Sequence, residues 1–349
     1  MWGAAKIALT GGNAYDPALL VEVMRTGGWP SDLGAWGFTH PPWSFWLYVP
    51  FGLFSLPVAR VLWIAAHVLL FGAILRCLIR LNQPPSTYFK GIDTGLLVLA
   101  AATFPPVLKT FAFGQNSMVS AMGVVFFIDL YLRKSYFKSG AMLSLTFLKP
   151  QLLLPLYIAL FIHALRSRKL TLIAGVATGG LAQLIIGFLL YPNGIAYYLS
   201  YLPDLLARSP LLLAPSMAQI IGYYYGFQWQ GAVLSVCGMF VGAWYGMRKD
   251  FSLIPSLIVL LPFSLFVTPY SYSHDFSLLL FPYLTLIGIL YQKAGNKVFF
   301  LIGILEVWSI LLVANVRHEF TTVLIPFLIL VGGILAVKTQ RCDDFLELK

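Results

Sequence analysis

The chain has 349 residues, of which 59% are hydrophobic, 15% aromatic and 10% charged, with a formal net charge of +10. A soluble domain carries roughly 25% charged residues, so this chain lacks the polar shell that a soluble fold of its length needs, whereas a lipid-facing surface needs none. Its positive charge lies in short loops between apolar runs, the positive-inside pattern of a membrane protein rather than a nucleic-acid footprint, and Cys77, Cys237 and Cys342 show neither CxxC nor metal-ligand spacing.

Residues 1–40 mix polar and apolar types, with Gly11-Gly12, Tyr15-Asp16-Pro17 and Trp29-Pro30, and contain no spanning run or signal peptide. His40 precedes Pro41-Pro42-Trp43, which opens an apolar stretch too short to span before Pro57; prolines at such a point start a helix. A spanning helix needs about 20 apolar residues. Nine such runs follow, near 58–80, 91–108, 114–132, 170–191, 228–248, 252–268, 276–292, 297–314 and 322–338.

The loops orient these runs. Arg76, Arg80 and Lys90 flank one loop, Arg133, Lys134 and Lys138 another, and Arg166, Arg168 and Lys169 a third. Arg248 and Lys249, then Lys293 and Lys297, then Lys338, Arg341 and Lys349 complete 16 of the 23 basic residues on one side, the cytoplasmic side by the charge rule. The extracytoplasmic side then holds residues up to about 57, the loop around Lys109–Asn116, residues 192–227 and the turns 269–275 and 315–321. The C-terminus is cytoplasmic. Because parity places residues 1–57 outside, a spanning helix ahead of Met1 is expected, so that this chain lacks the first span.

Residues 139–166 lie between two basic clusters of the same side, so this segment must enter the membrane and return. Lys149-Pro150 falls at its middle, where proline interrupts a helix. The expectation is a broken re-entrant pair of short helices with Lys149 at the tip, lining a cavity, because broken helices persist at membrane depth only when shielded by protein or water. The expected fold is an all-α polytopic membrane protein of about nine spanning helices plus this broken pair. It forms one domain over 1–349: an extracytoplasmic segment of short helices over 1–57, a helical bundle over 58–338 and a cytoplasmic tail over 339–349.

Ionisable residues at membrane depth are functional candidates by default. His274-Asp275 sits in the outer turn TPYSYSHDF, where histidine could hold or accept a proton and Asp275 could orient it; an interfacial polar turn anchored by Tyr270 and Tyr272 is the competing reading. Lys149 is costly in lipid. Either it snorkels to an interface, or it faces a cavity and meets an anion, for which a lipid phosphate is the natural choice. Gln115 and Asn116 in FAFGQNSM carry amides suited to sugar hydroxyls, against helix capping by Asn116 or Ser117. Lys109 reads as a snorkelling flank, Asp93 and Asp129 as interfacial residues near cytoplasmic helix ends, and Glu306 as a buried acid without a visible partner. No GxGxxG, Walker loop, HExxH or nucleophile elbow is present. No internal repeat is evident, which weighs against a transporter.

GGNAYDPALL, FTHPPWSFWLYVPFGLFSLP with RVLW, FGQNSMVSAM, SYFKSGAMLSLTFLKPQLLLP and TPYSYSHDFSLLLFP occur in that order. Together they resemble glycosyltransferase family 87, which includes polyprenol-phosphate-mannose-dependent α-1,2-mannosyltransferases of the GT-C superfamily. The resemblance runs from about residue 3 to residue 283. It implies a GT-C-like bundle in the inner membrane that moves a hexose, mannose above all, from a polyprenyl-phosphate donor to an envelope glycan or glycolipid acceptor on the extracytoplasmic face, with inversion and without metal or nucleotide cofactor. It implies catalytic roles for His274 and Asp275, donor-phosphate binding by Lys149, and sugar or acceptor contacts from Gln115, Asn116 and His40. The family's acidic base precedes the aromatic that matches Trp2, so it is expected upstream of Met1, and Asp16 in the YDP turn does not replace it; as written the chain would lack its base and be inactive. The competing function classes are a lipid-linked-saccharide transporter or flippase and a glycan ligase with a similar cavity.

Overall fold

A computed structural model describes residues 1–30, 37–82, 92–207, 216–217, 220–221, 230–294 and 324–339. The regular secondary structure among these residues is all helical, with no strand. The first helices are α1 (Trp2–Leu9), α2 (Pro17–Thr26) and α3 (Phe45–Gly52), the last preceded by a 3-10 turn over Pro42–Ser44. They form a small core of their own in which Ala4, Ile7, Tyr15, Phe38, Phe45 and Tyr48 are buried with Tyr191. Asp16 caps α2 by accepting the backbone N–H of Ala18 at 2.9 Å, a helix-capping task rather than a chemical one.

The bundle follows: α4 (Leu56–Leu81), α5 (Thr94–Thr103), α6 (Pro105–Phe113), α7 (Ser117–Leu132), α8 (Tyr136–Leu143), α9 (Leu154–Arg166), α10 (Leu170–Leu190), α11 (Gly194–Ala207), α12 (Gln230–Met247), α13 (Leu253–Val267), α14 (Leu280–Ala294) and α15 (Leu324–Thr339). Eight of the nine apolar runs coincide with these helices; the run 297–314, Glu306 and the turn 315–321 lie outside the described residues. Among the described helices, Leu56–Leu81, Leu170–Leu190 and the continuous Ser273–Tyr291 are long and apolar enough to cross a bilayer alone. α5 and α6 together are long and apolar enough for a fourth span, bent at their junction, or for a re-entrant loop.

That bend corrects the expected straight run over 91–108. The two helices meet at 53°, because Phe104 is extended ahead of Pro105 and the Pro105-Pro106 pair opens a new helix. The helix then continues to Phe113, so Lys109 is not a loop flank. It is a buried residue of α6, 4% exposed, with its ammonium 5.6 Å from the Phe113 ring. Gly114 ends α6 in the left-handed region at φ +58°, a conformation glycine adopts without strain, and its carbonyl accepts the Trp63 indole N–H at 2.7 Å.

Contacts along the helices set their directions. α4 and α7 run parallel, since Trp63 meets Gly114 at one end and Arg80 meets Asp129 at the other. α7 and α8 are antiparallel: Ser139 Oγ donates to the Phe127 carbonyl, and the Tyr131 and Tyr136 rings meet at the turn. α8 runs parallel to α10, with Gly140 against Gly175 and Ser144 against Gly179 and Gln183. Because α9 returns the chain from Leu154 to the start of α10, it runs antiparallel to both. Residues 136–166 therefore form the broken pair expected around Lys149.

These close crossings depend on glycine. A Cβ on Gly175 would lie 2.0 Å from the Phe137 carbonyl oxygen, and one on Gly242 2.1 Å from that of Pro155. Such small-residue contacts let helices pack where lipid offers no hydrophobic drive. Arg76, Arg80, Arg133, Lys134, Lys138, Arg166, Arg168, Lys169, Arg248 and Lys249 all fall at one end of the bundle. There the buried Asp129 accepts from Arg80 at 2.7 Å and from Arg133 at 3.1 Å, while Lys169 donates to the Tyr131 hydroxyl at 2.7 Å. Asp93 caps α5. The tip of the broken pair points to the opposite end.

Candidate functional site

Lys149 sits where two short 3-10 turns, Ser144–Leu148 and Pro150–Leu153, meet. Pro150 lacks an N–H and crowds the residue before it, so Lys149 leaves the helical region at φ −144°, ψ 72°. Its side chain is buried, 7% exposed, which removes the snorkelling reading. The ammonium donates to Asp275 Oδ1 at 2.6 Å and to His274 Nε2 at 3.3 Å, and lies 5.6 Å from the Tyr272 ring. An ammonium has three N–H bonds and no lone pair. His274 must therefore offer Nε2 as acceptor and carry its proton on Nδ1, and one ammonium hydrogen is left over.

The segment after α13 supplies the other half. α13 stops at Thr268, whose extended backbone and hydroxyl, donating to the Gln151 carbonyl at 3.0 Å, tie it to the broken pair. A 3-10 turn over Ser273–Leu279 then presents His274 and Asp275. Asp275 Oδ1 also accepts the Ser117 hydroxyl at 2.7 Å, and Oδ2 accepts the Tyr272 backbone N–H at 3.0 Å. The His274 ring stacks on Tyr272, 5.3 Å apart and nearly parallel, while its carbonyl accepts the Thr110 hydroxyl at 3.1 Å. This turn is buried rather than an interfacial polar turn: His274 is 8% and Asp275 1% exposed, because α6 and α7 close over them. With three donors on its two oxygens, Asp275 holds the ammonium and has little capacity left to take a proton.

The remaining candidates separate. Asn116 is buried and donates through Nδ2 to the Tyr48 hydroxyl at 2.7 Å; its Oδ1 has no hydrogen-bond partner. Asn116 stands at the N-cap of α7 without a side-chain capping hydrogen bond, and the Ser117 hydroxyl is bound to Asp275, so neither side chain caps the helix. Gln115 is only half-buried, and its role here is through the backbone, whose carbonyl lies 2.7 Å from His67 Nε2. The structure does not bring its side chain into the cluster. His40 is buried between Phe38 and Tyr48 and, with Lys149, lines a pocket. Burial, then the Lys149 ammonium, holds its pKa well below the usual 6.5, so it is neutral.

The pocket is a small cleft with a cavity volume of about 60 Å³, well below the roughly 300–1,000 Å³ typical of ligand sites. It is lined by Lys149 and Gln151 from the broken pair, by Thr39, His40 and Trp43 from the segment ahead of α3, and by the aromatic side chains of Tyr198, Tyr270 and Tyr272. The Trp43 indole N–H donates to the Phe147 carbonyl at 2.8 Å, tying the segment ahead of α3 to the broken pair. Trp43, Tyr198, Gln151 and Ser117 were not singled out as ligand groups from sequence; the run LKPQ beside the candidate lysine was the one signal that pointed toward Gln151. Among the described residues no group of three His, Cys, Asp or Glu side chains gathers to hold a metal ion.

The sequence profile of glycosyltransferase family 87 matches residues 38–269, well over half of the chain and inclusive of His40, Gln115, Asn116 and Lys149. Searches of curated proteins and of solved structures return no significant match.

Proposed function

The chain belongs to glycosyltransferase family 87 and is a membrane glycosyltransferase, and we propose that it moves a hexose, mannose, from a polyprenyl-phosphate donor to an envelope glycan or glycolipid. In this reading the basic end of the bundle faces the cytoplasm, the inner membrane holds the chain, and the pocket opens on the extracytoplasmic face. The observation that carries it is the Lys149 ammonium: buried, fixed by Asp275 and His274, and lining an aromatic pocket with one N–H unspent.

The acceptor hydroxyl oxygen attacks the anomeric carbon from the face opposite the phosphate. The bond from that carbon to the phosphate oxygen breaks, its electron pair stays on the phosphate, and the hydroxyl proton passes to solvent water. The leaving phosphate gains one negative charge, and a fixed donor in a low-dielectric site stabilises that change more than water would. Lys149 is that donor. Asp275 and His274 act through it, as positioning residues that aim the ammonium, while the aromatic lining packs against the apolar face of the sugar. His40, which lines the pocket, contacts the sugar or acceptor, and Asn116, buried outside that lining, supports the site through its hydrogen bond to Tyr48.

The test is transfer from radiolabelled polyprenyl-phosphate-mannose by the full-length protein in proteoliposomes, set against nucleoside-diphosphate mannose. Transfer from the lipid donor alone is expected. Transfer from the nucleotide sugar alone contradicts the proposal.

A further inference from the structure

We infer that Gln151 reads a hydroxyl of the donor sugar and sets which hexose the enzyme transfers. The inference rests on the polyprenyl-phosphate reading above and deepens it. A sugar joined to the phosphate through its anomeric oxygen must lie within about one ring of the ammonium. Gln151 is two residues beyond Lys149, so its Cα is at most about 7 Å further along the chain. It lines the same pocket as Lys149, Tyr198, Tyr270 and Tyr272.

The backbone of Gln151 is pinned and its side chain is not. Pro150 fixes the chain ahead of it, and its carbonyl accepts the Thr268 hydroxyl at 3.0 Å. Its amide, half-buried, makes no hydrogen bond to any described residue. An amide carries two donors and one acceptor oxygen with two lone pairs, which matches the alternating donor and acceptor demands of ring hydroxyls. The rest of the lining divides by chemistry: the Lys149 cation suits the phosphate, and Trp43, Tyr198, Tyr270 and Tyr272 present ring faces that tolerate any pyranose. Thr39 and His40 add a hydroxyl and an imidazole to the lining, and Gln151 is its one primary amide, planar, directional and unengaged by the fold. A site built around such a hydrogen bond rejects the epimer that cannot form it, because the polar group is then left unpaired.

The experiment measures kcat/KM of the full-length protein in proteoliposomes with polyprenyl-phosphate mannose, glucose and galactose, three donors that differ only in hydroxyl configuration. The wild-type enzyme should prefer one of them by about tenfold to hundredfold. Gln151→Leu, of similar volume without the amide, should bring the three within about threefold of one another, mainly by losing kcat/KM for the favoured donor. Inhibition by sugar-free polyprenyl phosphate, which reads the Lys149 contact, should be unchanged. Gln151→Asn keeps the polarity but withdraws the amide by one methylene and should lose the same preference; it carries the test if the leucine variant does not insert. An active variant that keeps the wild-type donor ratio overturns the inference alone, as does a wild-type enzyme that uses the three donors alike. A wild-type enzyme inert with all three overturns the donor reading and this inference with it.

Discussion

Lys149 and Asp275, 126 positions apart in the chain, stand 2.6 Å apart, ammonium to carboxylate, both almost wholly buried. The pair joins the tip of the broken helix pair to the turn after α13. Breaking a buried ion pair by removing one partner costs about 3–5 kcal/mol, since the other charge is left without compensation.

Either single substitution, Lys149→Gln or Asp275→Asn, should therefore lower thermal stability by about that amount as well as abolish transfer. The neutral double variant Lys149→Gln/Asp275→Asn should recover most of the stability and none of the activity. Thermal unfolding in nanodiscs beside a transfer assay separates the two effects. Additive losses in the double variant would show that the two residues do not act as a pair.

His274 serves by offering Nε2 to the Lys149 ammonium. His274→Gln, whose carbonyl oxygen can accept the same hydrogen, should keep kcat within about tenfold of wild type. His274→Leu should lose about a hundredfold or more, in the range seen when a fixed charge-stabilising donor is removed. Equal loss in both variants would instead assign His274 to proton transfer, which glutamine cannot perform.

His40 is held neutral by burial and by the Lys149 ammonium. Its folded pKa lies below its unfolded value of about 6.5, so the unfolded chain binds more protons between those two values. The associated stability is complete above pH 6.5 and is lost as the pH falls through that window. The wild-type midpoint should drop between pH 7.5 and 5.5, and His40→Gln should remove at least about 2 °C of that drop. An identical pH response in the variant refutes the assignment.

Gly242 and Gly72 provide a packing test. A side chain at Gly242 meets the Pro155 backbone, whereas one at Gly72 meets nothing within 4 Å. Gly242→Ala should destabilise by at least about 1–3 kcal/mol and disturb the α9 half of the broken pair. Gly72→Ala should stay within about 0.5 kcal/mol of wild type. The reverse order would contradict the α9–α12 crossing.

The membrane architecture was legible because its signals are local. The apolar run at 58–80 became Leu56–Leu81, and Lys149-Pro150 marked the break, because proline acts on its immediate neighbours. The bend at Phe104-Pro105 was visible in TFPP but lost in a continuous apolar run, so Lys109 was read as a loop residue. Long-range pairing left no mark: nothing in FGQNSM shows that the Ser117 hydroxyl will meet a carboxylate 158 positions away. Polarity alone favoured Gln115, whereas the fold turned Gln151 into the pocket. Burial of the SHD turn was equally hidden, because the residues that cover it come from α6 and α7.

The central claim is that Lys149 holds the phosphate of a polyprenyl donor. Its most direct test is the binding of sugar-free polyprenyl phosphate, measured in nanodiscs, to wild type and to the Lys149→Gln/Asp275→Asn variant, whose fold should survive without the charge pair. The account predicts saturable binding to wild type that weakens at least tenfold in the double variant, at unchanged membrane insertion. Equal affinity in the two proteins would contradict it.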